Sequence, residues 1–270
     1  MRVLLFCLFV LFASCSKENT GDFKVDVNEI KSVQTSAKMK MIEGGTYKAF
    51  IGRDEENIVK VKSFLLDETA VTNAEYLKFL KANPQWTRSK ILKLYTDGSY
   101  LKSWKGDYQL PDNVSPNAPV TGISWFAAVA YAKSVGKRLP TIDEWEYAAA
   151  ADETTKNATN KPEFTKYILD AYQQKQMYLK PVKQGKPNYY GLYDLYGVIW
   201  EWTEDFNSVM MTGDSRADKA ENNNLFCAGA SVTTKDLKNY ASFARFAFRG
   251  SLDANFCIAN LGFRCAKDIK

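Results

Sequence analysis

No histidine occurs anywhere in the 270 residues. Its absence removes histidine-based nucleophile triads, two-histidine metalloprotease sites and histidine-ligated non-haem iron or copper. No long apolar run exists beyond the first fifteen residues, and no internal repeat is visible. The basic excess is a net charge of +5, spread along the chain rather than gathered in a stripe. Nucleic acid is therefore not an expected partner, because its recognition calls for clustered cations. What remains is ordinary for a globular protein, with 46% apolar and 25% charged residues. The length suits one good-sized domain, and no second one is visible.

Residues 1–14 read as a signal peptide. Arg2 supplies the positive start, Val3 to Phe12 the apolar core, and Ala13 and Ser14 the small residues before cleavage. That core is too short to span a bilayer. Cys15 follows at once, and Ser16, Lys17, Glu18 and Asn19 open a polar tether over residues 15–37. The arrangement resembles a bacterial lipobox. It predicts acylation of Cys15, with palmitate-type chains holding a lipoprotein on a membrane of the cell envelope. The face would be periplasmic or outer-membrane. Residues 38–270 form the folded domain.

The domain is organised around residues 190–202, YGLYDLYGVIWEW. Neither a helical period nor a strand alternation runs through them. Rings this numerous cannot stay solvated cheaply, so an irregular buried ribbon is expected, turning at Gly191 and Gly197. Upstream, residues 38–50 and 58–66 alternate and read as strands of one sheet. Thr72 with Glu75, and Thr141 with Glu144, are capping-box pairs that open helices. Residues 125–134 make a compact Ala-rich helix before Gly136. Residues 162–179 place Phe164, Tyr167, Ile168, Ala171 and Tyr172 at helical spacing. Residues 85–119 and 207–224 read as loops. Residues 226–232, 243–249 and 261–266 read as closing strands.

Five collinear segments now resemble one family: TAVTNAEYLKF at 69–79, PVTGISW at 119–125, KRLPTIDEWEYAA at 137–149, YGLYDLYGVIWEWT at 190–203 and NLGFRC at 260–265. They are similar to the formylglycine-generating enzymes, or sulfatase-modifying factors. The resemblance implies an α+β fold: a single C-type-lectin-like domain with much irregular structure. The family's activity oxidises a sulfatase cysteine to formylglycine, using copper held by a cysteine pair. Thiolates suit Cu(I). In this chain the second of those cysteines falls at Ala241 and the first near Thr234 to Asp236, so the pair is missing. The resemblance therefore implies a non-catalytic accessory or scaffold member, with a formylglycine-generating type of oxidase as the alternative.

The family also binds structural Ca2+ beside a Gly-Asn-x-Trp-Glu-Trp turn. Here the turn reads GVIWEW, so the carbonyl of Val198 and the carboxylate of Glu201 are the implied ligands. The other reading of Glu201 is a buried carboxylate capping backbone N–H groups of the ribbon. Cys227, Cys257 and Cys265 remain as candidate thiols or disulfide partners, the pairing unreadable from sequence. The resemblance would place the partner of Cys265 at Ala149, so that bridge is lost. A protein partner in the envelope is expected to meet the two loops. Trp86 and Trp104 are candidate anchors for it, with Tyr95 and Tyr100 beside them; the alternative is that these rings hold the loop down.

Overall fold

The computed structural model describes residues 30–49, 58–207 and 237–269. The expected signal peptide, Cys15, the loop from 208 to 224 and the strand carrying Cys227 lie outside the described residues. The tether expected to run to residue 37 docks earlier. The Asn83 side chain accepts from the Lys31 amide at 2.7 Å and donates to the Lys31 carbonyl at 3.1 Å, and Val33 donates to the Ser134 carbonyl.

Four short strands open the domain: β1 (Met39–Ile42), β2 (Gly45–Lys48), β3 (Ile58–Val61) and β4 (Phe64–Asp67). They do not form one sheet, contrary to the sequence reading. β4 is the centre of a three-stranded antiparallel sheet, between β1 and the C-terminal β7 (Ala266–Asp268), while β2 and β3 pair by themselves. The break lies at Gly44. A Cβ there would sit 2.7 Å from the Val61 carbonyl and the Ser63 amide, so the hairpin kinks where the two backbones press together.

α1 (Asn73–Ala82) and α3 (Ile142–Ala149) both begin with the expected capping boxes, each Thr hydroxyl accepting from an amide and each Glu reaching back. α1 buries Tyr76, Phe79 and Leu80. α2 (Trp125–Ser134) is capped by Ser124 and is buried over most of its surface, hence its small residues. α4 (Pro162–Gln173) turns Phe164, Ile168 and Ala171 inward and leaves Tyr167 exposed.

The segment expected as a closing strand at 243–249 is instead part of α5 (Leu237–Gly250), which packs along α4. The alternation of aromatic and basic residues misled. The helical spacing of Ala241, Arg245 and Arg249 decides, placing all three on one buried face. The last expected strand, 261–266, survives as two short pieces, β6 (Leu261–Gly262) and β7.

The ribbon is irregular and buried as expected. Tyr190, Leu192, Leu195 and Tyr196 fill one core with α3, α4 and the first strands. Trp202 fills the other with α1, α2 and residues 86–104, and Val198 and Ile199 form a small third cluster with Ala70. Gly191 and Gly197 have φ of 80° and 82°, which a side chain disfavours. β5 (Trp200–Glu201) then pairs in parallel with β6.

Candidate functional site

Arg245 and Arg249 stand one helical turn apart on α5 and meet Glu146 of α3. Arg245 donates to both Glu146 oxygens at 2.7–3.0 Å, and Arg249 donates at 2.7 Å. Burial works against a charged Glu146, yet the two guanidinium groups hold its carboxyl below the ordinary range. Arg249 also lies over the Trp145 ring, 4.7 Å from its centre, and Arg245 lies 5.6 Å from that of Tyr196. The remaining donors of Arg245 go to the Tyr172 hydroxyl, the Ala241 carbonyl and the Ser242 hydroxyl. With every fork position used, this guanidinium fixes the wall and does not reach out for an anion.

That wall closes one side of a cavity of about 620 Å³, lined also by Tyr47, Phe164, Tyr196 and Ala241. Burial and the adjacent Asp143 carboxylate push the Tyr47 phenol far up, so it stays protonated and donates to Asp143 at 2.8 Å. Sequence reasoning missed the Glu146 cluster altogether. The available signal was the i, i+4 spacing of the two arginines.

Ala241, where the resemblance places the second copper cysteine, lines this cavity and brings no ligand to it. The other position, near Thr234 to Asp236, and Cys227 lie outside the described residues. Cys257 and Cys265 are both free, so the bridge expected among the three cysteines does not join these two. The reason is placement. The Cys257 thiol lies 3.4 Å from the Thr96 hydroxyl, on a separate cavity of about 490 Å³. The Cys265 carbonyl accepts from the Asp67 amide, and the Cys265 amide donates to the Asp67 carboxylate at 3.0 Å. Burial raises both thiols, Cys257 to about 12. Among the described residues no group of three or more Cys, Asp or Glu side chains could hold a metal.

Glu201 does not fit a calcium ion. Arg264 contacts both of its oxygens at 2.8–3.0 Å, and the Trp145 indole donates to one of them at 2.7 Å. A cation already sits where the metal would go. Nor does the carboxylate cap the ribbon amides; it joins the ribbon to the last strands. Val198 is buried against Ala70 and Ile199.

Trp86 and Trp104 are 5% and 2% exposed, so they are not surface anchors for a partner. Trp86 stacks on Tyr95 and packs beside Phe79. The Tyr100 hydroxyl donates to the Trp86 carbonyl at 2.8 Å. These rings hold the loop down. Its exposed large apolar side chains are Leu92, Leu94 and Tyr108.

Residues 25–269 match the sulfatase-modifying factor enzyme 1-like domain. The chain belongs to this family. The formylglycine-generating enzyme of Streptomyces coelicolor is 29% identical over 259 residues, covering 80% of this chain and 82% of the relative. That of Thermomonospora curvata is 28% identical over 300 residues, covering 91% and 98%. The serine/threonine-protein kinase pkn1 of Chlamydia caviae is 28% identical over 256 residues, and the match spans 90% of this chain but only 40% of the kinase. The sulfatase-modifying-factor fold, a single α+β domain, thus carries the Glu146 cluster and the ribbon alike.

Proposed function

We propose that the protein is a lipid-anchored envelope protein, held by acylated Cys15, that serves as a non-catalytic accessory or scaffold subunit. The observation that carries the non-catalytic reading is the cavity at Ala241. An alanine methyl stands where a thiolate would grip Cu(I), and the arginine beside it is fully occupied by Glu146 and its neighbours. A frame whose described residues gather no metal-binding cluster suits presentation of surface loops to a partner better than redox turnover.

The relatives named formylglycine-generating enzyme favour a second reading, an oxidase of sulfatase cysteines or of another substrate. One experiment separates the two. The protein is incubated with Cu(I), dioxygen, a thiol reductant that supplies the second electron pair, and a cysteine-containing sulfatase peptide, and the peptide mass is followed. An unchanged peptide supports the scaffold; conversion to the aldehyde overturns it. The anchor is tested by fractionation of membranes washed in high salt, which screens charge-assisted contacts; there Cys15→Ser is expected to move the protein to the soluble envelope fraction while the acylated chain stays on the membrane.

A further inference from the structure

The loop at residues 88–95 is built unlike the rest of the surface. Leu92 and Leu94 are 62% and 59% exposed, more than any other large apolar side chain among the described residues. Their neighbours in sequence point the other way. Ile91 and Tyr95 pack against the core, and Tyr95 lies against Trp86 and Phe126 with ring centres 5.4 and 5.1 Å apart. Local amide bonds stiffen the turn: Ile91 to the Thr87 carbonyl at 2.9 Å and Tyr95 to the Leu92 carbonyl at 2.9 Å. Two leucines are thus held outward on a fixed platform rather than swinging on a loose loop.

Cations surround them. Arg88, Lys90 and Lys93 are exposed. Arg88 spends one donor on the Trp104 carbonyl, and no described carboxylate forms an ion pair with any of the three. Asp107 is the nearby acid. It accepts from the Ser89 amide and hydroxyl, and Lys90 and Arg88 help to hold it ionised. Residues 88–95 thus carry three cations and no acid of their own, with Asp107 held on Ser89.

We infer that this turn is a membrane-contact surface that sets Leu92 and Leu94 into the headgroup layer of an anionic bilayer, with Arg88, Lys90 and Lys93 on the lipid phosphates. The chemistry fits lipid better than protein. The apolar area is two projecting side chains without a groove, and lysine, depleted from the centres of protein interfaces, flanks both of them. Apolar burial and charge attraction act together at a bilayer surface. The contact needs no acyl chain, so it goes beyond the Cys15 anchor and would orient the domain against the same surface.

The test uses the full chain carrying Cys15→Ser, with and without further substitutions, sedimented with vesicles of phosphatidylglycerol and phosphatidylcholine or of phosphatidylcholine alone. Binding to the anionic vesicles is expected, and it should weaken with salt. L92E/L94E should lower partitioning by about tenfold or more, and Lys90→Ala and Lys93→Ala by about fivefold each. All these positions are exposed, so thermal midpoints should not move, which guards against misfolding. Absence of binding, equal binding to both vesicle types, or full binding by L92E/L94E overturns the inference. So does protein-dependent binding, in which bare vesicles fail and envelope membranes succeed only before protease treatment. None of these results bears on acylation at Cys15, which fractionation tests separately.

Discussion

Arg264 of the C-terminal segment grips Glu201 of the ribbon through three hydrogen bonds of 2.8, 2.9 and 3.0 Å, with both side chains almost wholly out of water. The guanidinium also reaches the Tyr193 carbonyl at 2.9 Å and the Asp67 carbonyl at 3.2 Å. One side chain therefore ties the ribbon, β4 and the last strands together. Glu201→Gln would leave a buried cation without its counter-charge, at a cost of about 3–5 kcal/mol. Urea unfolding should show that loss equally in calcium and in chelator. If calcium stabilises the wild type and not Glu201→Gln, the carboxylate is a metal ligand and the pairing account fails.

Glu146 gives a pH signature. Its folded carboxyl lies below the ordinary value of 4.5 because Arg245 and Arg249 overcome the effect of burial. A depressed carboxylate contributes stability that is present in full above 4.5 and fades as pH falls below it. Glu146→Gln is expected to cost about 3–5 kcal/mol at neutral pH, since two buried guanidinium groups lose their shared anion. The gap between wild type and variant should stay level from pH 8 to about 6 and narrow in acid. Unfolding curves at several pH values read this directly; a gap that widens in acid would refute the assignment.

Local chemistry was the legible part of the sequence. Thr72 with Glu75 and Thr141 with Glu144 marked two helix starts because each motif is complete within four residues. The ribbon was readable because its rings had nowhere to go but inside. The five segments carrying the family resemblance fixed the fold, and the domain match agrees. Distant partners were not legible. Nothing beside Glu146 announces Arg245, 99 residues away, and reading 243–249 by its alternation hid the helix that brings them together. Sequence alone leaves Trp86 and Trp104 equally readable as partner anchors or as rings that hold the loop down. Aromatic stacking on Tyr95 turned Trp86 inward and left Leu92 and Leu94 outside. The split of the first sheet depended on how closely Gly44 approaches Val61 and Ser63, a contact made in three dimensions.

Gly197 and Gly98 separate two causes of strain. Both have positive φ, 82° and 86°. A Cβ on Gly197 would also come within 2.7 Å of the Ala171 carbonyl oxygen and 2.8 Å of its side chain, whereas one on Gly98 would meet nothing within 4 Å. Gly98→Ala should therefore cost about 1–2 kcal/mol from backbone conformation alone. Gly197→Ala should cost about 1–3 kcal/mol more, because the ribbon must move off α4. Equal melting midpoints for the two variants would mean that the ribbon and α4 are not packed this closely.

The two described thiols should be inert in the folded protein. The reactive species is the thiolate, and burial pushes Cys257 up to about 12 and Cys265 well above the ordinary thiol range. Iodoacetamide at neutral pH should leave both unmodified, and both should label quickly once urea unfolds the chain, as peptide mass mapping would show. Cys257 is the more revealing of the pair because it borders a cavity, so access alone would not protect it. Rapid native labelling there would show a depressed thiol in place of a raised one. Cys257 would then become a nucleophile or soft-metal ligand within reach of solutes, and the oxidase reading would gain what it now lacks.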